Sequence, residues 1–168
     1  IDLIFAEPSN PWVSGTASLF TREFYTRVKA YLTEDGVLTQ WMQIYEISDD
    51  LFMSVLSALD EAFPSYRGYL VGDADVVIIA SSEETMPEPD WSVLAWEGVG
   101  TLTRGIPPFQ AEHMAALLLF DEDTFRPLLD QGVAANSDYD PILDLGAENA
   151  RFLGPQAEAL FSQAANRH

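Results

Sequence analysis

A carboxylate, an amide, two prolines and a tryptophan crowd into "AEPSNPW", Ala6 to Trp12, directly after the apolar run "IDLIF". Glu7, the first polar residue past that run, can act as a carboxylate base or as an anchor for an ammonium group, and Asn10 offers a carbonyl acceptor to an amine. Pro8 and Pro11 stiffen the turn. Trp12 adds a flat face for cation–π or apolar contact. A second polar set ends the run "GVLTQWMQIYE": Gln40, Gln43, Tyr45 and Glu46. Strand alternation puts Gln40 with Met42 on one face and Trp41 with Gln43 on the other. Gln40 and Tyr45 are candidate substrate contacts, against the alternative that they satisfy backbone groups or cap the next helix. In "NSDYDP", Asp138 and Asp140 either close over such a site or form an Asx-turn before Pro141.

Composition narrows the chemistry. The chain has 168 residues, 48% of them hydrophobic and 12% aromatic, enough for one domain with a sizeable core. Its 27 Asp and Glu against 8 Lys and Arg give a formal net charge of −19, which disfavours nucleic acid or an anionic membrane as partner and suits a small cationic substrate. With no cysteine, neither a disulfide framework nor a thiolate metal site is expected. The two histidines, His113 in an apolar run and His168 at the end, give a metal site or a Ser-His-Asp triad little to build on, so no metal is expected. The longest apolar run, Met114 to Phe120, falls far short of the ~20 residues of a membrane helix.

These residues need a scaffold, and the hydrophobic pattern predicts one. Residues 2–6 read as a buried parallel strand that hands its C-terminal end to the Glu7 loop. Phe20, Phe24, Val28 and Leu32 recur every four residues and predict a helix over 17–32. A second strand over "GVLTQWMQIYE" and a second helix with Ser48 as N-cap follow. "YRGYLVGDADVVIIAS" reads as an antiparallel hairpin that closes one sheet edge, with Val76 to Ala80 as its inner strand. The prediction is therefore a four-stranded sheet, two parallel strands and then an antiparallel pair, with helices on both faces. Beyond an acidic, proline-rich loop at 81–89 come helical patches near 90–96, 111–119 and 122–131, and a last helix near 155–165. Gly98 to Gly100 reads as a loop. Residues 1–82 form the sheet unit and 83–168 a helical cover or extension. In an open α/β sheet the loops after Ala6 and Trp41 are the default ligand site.

"DLIFAEPSNPWVSGTASLFTREFY" followed by "LTEDGVLTQWMQIYE" resembles the spermidine synthase family, and more closely the spermidine synthase-like domains of larger bacterial proteins. The likeness covers about residues 2–81 well and the tail loosely, through "NSDYDP". It implies the Rossmann-like, three-layer αβα fold of class I S-adenosylmethionine-dependent methyltransferases, with residues 2–6 as the fourth strand and the N-terminal half of the domain missing. That half would carry the Gly-rich cofactor turn; this sequence has no Gly-x-Gly-x-x-Gly. The family moves an aminopropyl group from decarboxylated S-adenosylmethionine to an amine. By the same likeness Glu7 matches the residue that deprotonates the amine, Asn10 replaces the second acid, Gln40 resembles a substrate-side Gln, and Glu7 and Ser9 lie on the cofactor side.

Two alternatives follow from the same residues. Asn-Pro-Trp also resembles the loop of S-adenosylmethionine-dependent amino-group methyltransferases, which implies an N-methyltransferase. The change from acid to Asn10 motivates a non-catalytic ligand-sensing or assembly domain. The segment on its own is expected to be inactive and to offer an open strand edge for a homodimer. A cytoplasmic location is expected for this domain, with the parent protein open to membrane anchoring.

Overall fold

The structure, a computed structural model, describes residues 1–11, 13, 15–102 and 111–153. In chain order its elements are β1 (Leu3–Ala6), a 3-10 helix (Thr16–Phe20), α1 (Arg22–Lys29), β2 (Val37–Gln43), α2 (Asp49–Asp60), β3 (Ser65–Val71), β4 (Asp75–Ser81), a 3-10 helix (Trp91–Ala95), α3 (Glu97–Leu102), α4 (Ala111–Ala116), β5 (Leu118–Asp121), α5 (Glu122–Leu129) and α6 (Ile142–Leu153). This is an α/β fold with one mixed sheet, in the order β1-β2-β4-β3-β5. β1 runs parallel to β2, Leu3 opposite Val37 and Ala6 opposite Gln40. The remaining pairs are antiparallel. As expected, β4 is the inner strand of the hairpin, which turns at Gly72 with φ 65°.

The sheet has one strand more than the sequence predicts. The expected helix over 111–119 stops at Ala116, and Leu118–Asp121 pairs with β3, so β3 is not an edge and residues 83–168 contribute a strand as well as helices. An apolar run this short carries no period that separates helix from strand. Its place is set by Gly68: Phe120 pairs with it across the ladder, and a Cβ there would overlap the Phe120 ring. That ring packs edge-on against Phe52, Tyr66 and Phe125. Arg126 of α5 then holds the Asp60 carboxylate at 2.9 Å and the Pro64 carbonyl at 2.7 Å.

One face of the sheet carries the core. Leu38, Met42, Val76, Ile78, Ala80 and Tyr66 pack there with Tyr25, Val28, Phe52, Val55, Leu56, Leu59, Phe125 and Leu143 from the helices. Among the described residues, α1, α2, α5 and α6 bury their apolar sides in this one cluster. On the other face Leu3 and Phe5 of the edge strand are 56% and 60% exposed. Arg67 on that face holds Glu88 at 2.7 Å and draws the acidic loop toward it.

The predicted helix over 17–32 is broken at Thr21, whose extended backbone separates the 3-10 helix from α1 and whose hydroxyl caps the Phe24 N–H. The cause lies far along the chain. The buried Asn136 amide donates to the carbonyls of Phe20 (2.9 Å) and Ala17 (3.4 Å), and its backbone carbonyl accepts from the Arg22 N–H. A continuous helix would take those carbonyls for itself. α2 does begin at its predicted cap, Ser48. Helix α6 is unforeseen, and Gly98 to Gly100 lies in α3 rather than in a loop. The predicted helix near 155–165 lies outside the described residues.

Replacing Asn136 with Ala strands the Leu143 N–H and two carbonyls in the core. The expected loss is about 3 kcal/mol, read as a lower urea midpoint with an unchanged slope; Gly68→Ala should cost about 1–3 kcal/mol by overpacking.

Candidate functional site

The parallel pair delivers Glu7 to the C-terminal end of the sheet. Glu7, Pro8, Ser9, Asn10, Val13 and Trp41 line an open cleft of about 450 Å³. Pro8 is buried and holds the loop down, Glu7 and Ser9 are exposed, and Asn10 is half-buried. The Asn10 carbonyl accepts from the Val13 N–H at 2.9 Å, and Val13 in turn accepts from Thr16, so the loop turns into the 3-10 helix through Gly15 at φ 84°. Three sequence-predicted site residues thus meet in one cleft. Trp12, a fourth, lies outside the described residues.

Gln40 does not face this cleft. It is buried on the core side, where its Oε1 accepts from the Tyr25 hydroxyl at 2.7 Å and its Nε2 donates to the Leu19 carbonyl at 3.0 Å. Burial pushes the Tyr25 phenol far up, against the opposing pull of the Gln40 hydrogen bond, so it stays a neutral donor. Gln40 therefore ties β2 to the helices that follow the Glu7 loop. Tyr45, just past β2, is 37% exposed and is followed by Glu46 in the left-handed region at φ 56°.

Trp41 is not among the predicted site residues, and Gln43 is named in the polar set at the strand end without a role. Both fall on the face opposite Gln40 by simple alternation, and Trp41 forms a wall of the cleft. Gln43 is 0% exposed, and neither end of its amide has a hydrogen-bond partner.

Asp138 lines a separate cavity of about 310 Å³ with Ala17, Ser18, Asn136 and Asp144. Gly15 belongs to that cavity and Val13 to the Glu7 cleft, so the two flank one turn. The Asp138 loop is anchored by Glu23, whose carboxylate accepts from the Ser137 hydroxyl and the Asp138 N–H, both at 2.9 Å. Desolvation alone would raise the Glu23 pKa; the Asp138 N–H, its own N–H and the Ser137 hydroxyl outweigh it and hold it below the ordinary glutamate value. Among the described residues no group of three His, Cys, Asp or Glu gathers as metal ligands, and no helix is long and apolar enough to cross a membrane. No protein-family model matches the chain, and no curated protein is similar enough to give a match.

A folded-state pKa below the unfolded one gives stability that is present above the unfolded value, near pH 4.5, and lost as pH falls through the folded value. Glu23→Gln should remove that acid-dependent part of the melting curve and speed amide exchange at Asp138, measured by NMR; identical exchange in both proteins would detach Glu23 from the loop.

Proposed function

We propose that this chain is part of a spermidine synthase-like transferase that moves an aminopropyl group from a sulfonium donor, decarboxylated S-adenosylmethionine, to a small amine. The observation that carries this reading is the meeting of Glu7, Asn10 and Trp41 around one cleft at the carboxyl ends of a parallel strand pair, where open α/β sheets bind ligands. An exposed carboxylate beside an indole suits cationic groups: the acid supplies charge and the ring a cation–π face. That chemistry fits both a sulfonium and an ammonium ion. When bound, the donor supplies a carbon activated for displacement by its neighbouring sulfonium.

Glu7 holds the acceptor nitrogen and takes its proton as the new N–C bond forms and the C–S bond breaks. Asn10 orients the amine through its side-chain carbonyl, and Ser9 lies on the donor side. Trp41 walls off water. Gln40 acts from behind, fixing β2 against the helices through Tyr25 and Leu19. One acid and one amide at the cleft, in place of two acids, match a singly charged reacting end better than two closely spaced ammonium groups.

A positioned general base is worth about 10²- to 10⁴-fold. In the full-length protein Glu7→Gln should lower turnover by that order with donor binding unchanged, and Asn10→Asp should shift preference toward putrescine over monoamines. Wild-type turnover in Glu7→Gln would make the loop structural. Methyl rather than aminopropyl transfer in the same assay would select the methyltransferase reading.

A further inference from the structure

Residues 137–141 form a tight loop that the proposed chemistry does not use. Ser137 and Leu143 are buried on either side of it, and Asp138, Tyr139 and Asp140 are exposed. The Asp140 carbonyl, part of the Asp140–Pro141 peptide bond, accepts two backbone N–H groups, from Ser137 at 3.1 Å and from Ile142 at 2.9 Å. The Ser137 bond runs against the usual sense of a turn, in which the later N–H donates to the earlier carbonyl. Two convergent N–H donors at this distance are the arrangement that stabilises an oxyanion in acyl transfer. Ile142 also opens α6, whose positive end adds to the same field. The loop is anchored on both sides: Glu23 accepts from the Ser137 hydroxyl and the Asp138 N–H, and Asn136 accepts from the Leu143 N–H.

We infer that Asp140–Pro141 is a self-cleavage site, a hydrolytic activity of the protein against its own chain that is independent of the amine reading of the Glu7 cleft. Pro141 has no N–H, so the ring closure open to other Asp-containing pairs, attack of the following backbone nitrogen on the aspartate side chain, is unavailable here. The Asp140 carboxylate instead adds through one oxygen to the carbonyl carbon of its own residue. The carbonyl oxygen becomes a tetrahedral oxyanion, and its bonds from the Ser137 and Ile142 N–H groups become charge-assisted and stronger than those to the neutral carbonyl. The C–N bond then breaks, the Pro141 nitrogen takes a proton from water, and Asp140 is left as a cyclic anhydride. Water opens the anhydride to two carboxylates. One water is consumed overall, and nothing is oxidised or reduced. The product amine meets a complementary surface, because Pro141 lines the cavity of about 310 Å³ together with Asp138 and Asp144. Leu143 and Ala147, buried in the core, keep α6 docked after the cut.

The test incubates the full-length protein, folded and urea-unfolded, in the same neutral buffer and follows intact mass and N-terminal sequence. Removing one oxyanion donor typically costs about 10²- to 10³-fold in rate. The folded chain should therefore yield a new N-terminus at Pro141 about 10²-fold faster than the unfolded chain, which has the same bond without the N–H pair. Asp140→Glu keeps the charge but enlarges the ring that must close, and Pro141→Ala restores an N–H to the leaving nitrogen. Each should slow the cut at this bond by about 10-fold or more, with circular dichroism as the check on folding. A folded protein that stays intact, or is cut no faster than the unfolded chain, overturns the site and makes the N–H pair structural. A cut that proceeds at the unmodified rate in both variants also overturns it, because the scission then belongs to solvent water or a protease.

Discussion

Asn136 uses its backbone N–H, its backbone carbonyl and both ends of its amide inside the protein, at 1% exposure. The backbone N–H meets the Ser54 carbonyl of α2, and the side-chain oxygen accepts from the Leu143 N–H at the start of α6. The amide nitrogen takes the ends of the first 3-10 helix, and the carbonyl takes the first N–H of α1. Four helical segments are fixed to one another by a single residue. The helices lie over one face of the sheet, and the loop between β1 and the 3-10 helix carries Glu7. The aim of the Glu7 loop therefore depends on a residue more than a hundred positions away. A buried amide can serve this purpose because every one of its groups is satisfied; half-satisfied, it would destabilise the fold it organises.

The sheet divides labour between its faces. Residues 38, 40 and 42 of β2 point into the core, where even Gln40 is spent on Tyr25 and Leu19. Residues 41 and 43 point to the other side, where Trp41 meets the Glu7 loop. A rigid strand thus points successive side chains to the core and to the opposite face in alternation. Its end holds the unpaired amide of Gln43. The fully paired amides, Gln40 and Asn136, belong to the architecture, and the unpaired one lies on the side of the cleft.

The charge of the chain supports the same division. With a formal net charge of −19 the surface attracts cations over distances of a Debye length. Among the described residues, three basic side chains are held locally: Arg67 by Glu88, Arg126 by Asp60 and Lys29 by the Ala62 carbonyl. The Glu7 cleft, lined by one acid, two further polar residues and an indole, is open to that field. Electrostatic attraction of this kind concentrates a cationic ligand; it does not select one.

Local signals in the sequence determined a good part of this. Alternation over β2, the Gly72 turn, the Ser48 cap and the four-residue repeat of Phe20, Phe24, Val28 and Leu32 each depend on neighbours a few residues apart. The Glu7 loop, with its strand end and prolines, was legible for the same reason. What only the tertiary structure decided involves partners distant in the chain. Phe120 became part of a strand because Gly68 leaves room for its ring, and the helix after the Glu7 loop broke because Asn136 competes for its carbonyls. Gln40 and Gln43, three residues apart and of one type, took opposite roles because β2 points them to opposite faces and only one face holds a tyrosine and a free carbonyl to meet the amide. Periodicity tells which residues share a face; it cannot tell what waits there, because hydrogen-bond partners are set by packing between elements and not by the order of residues within one.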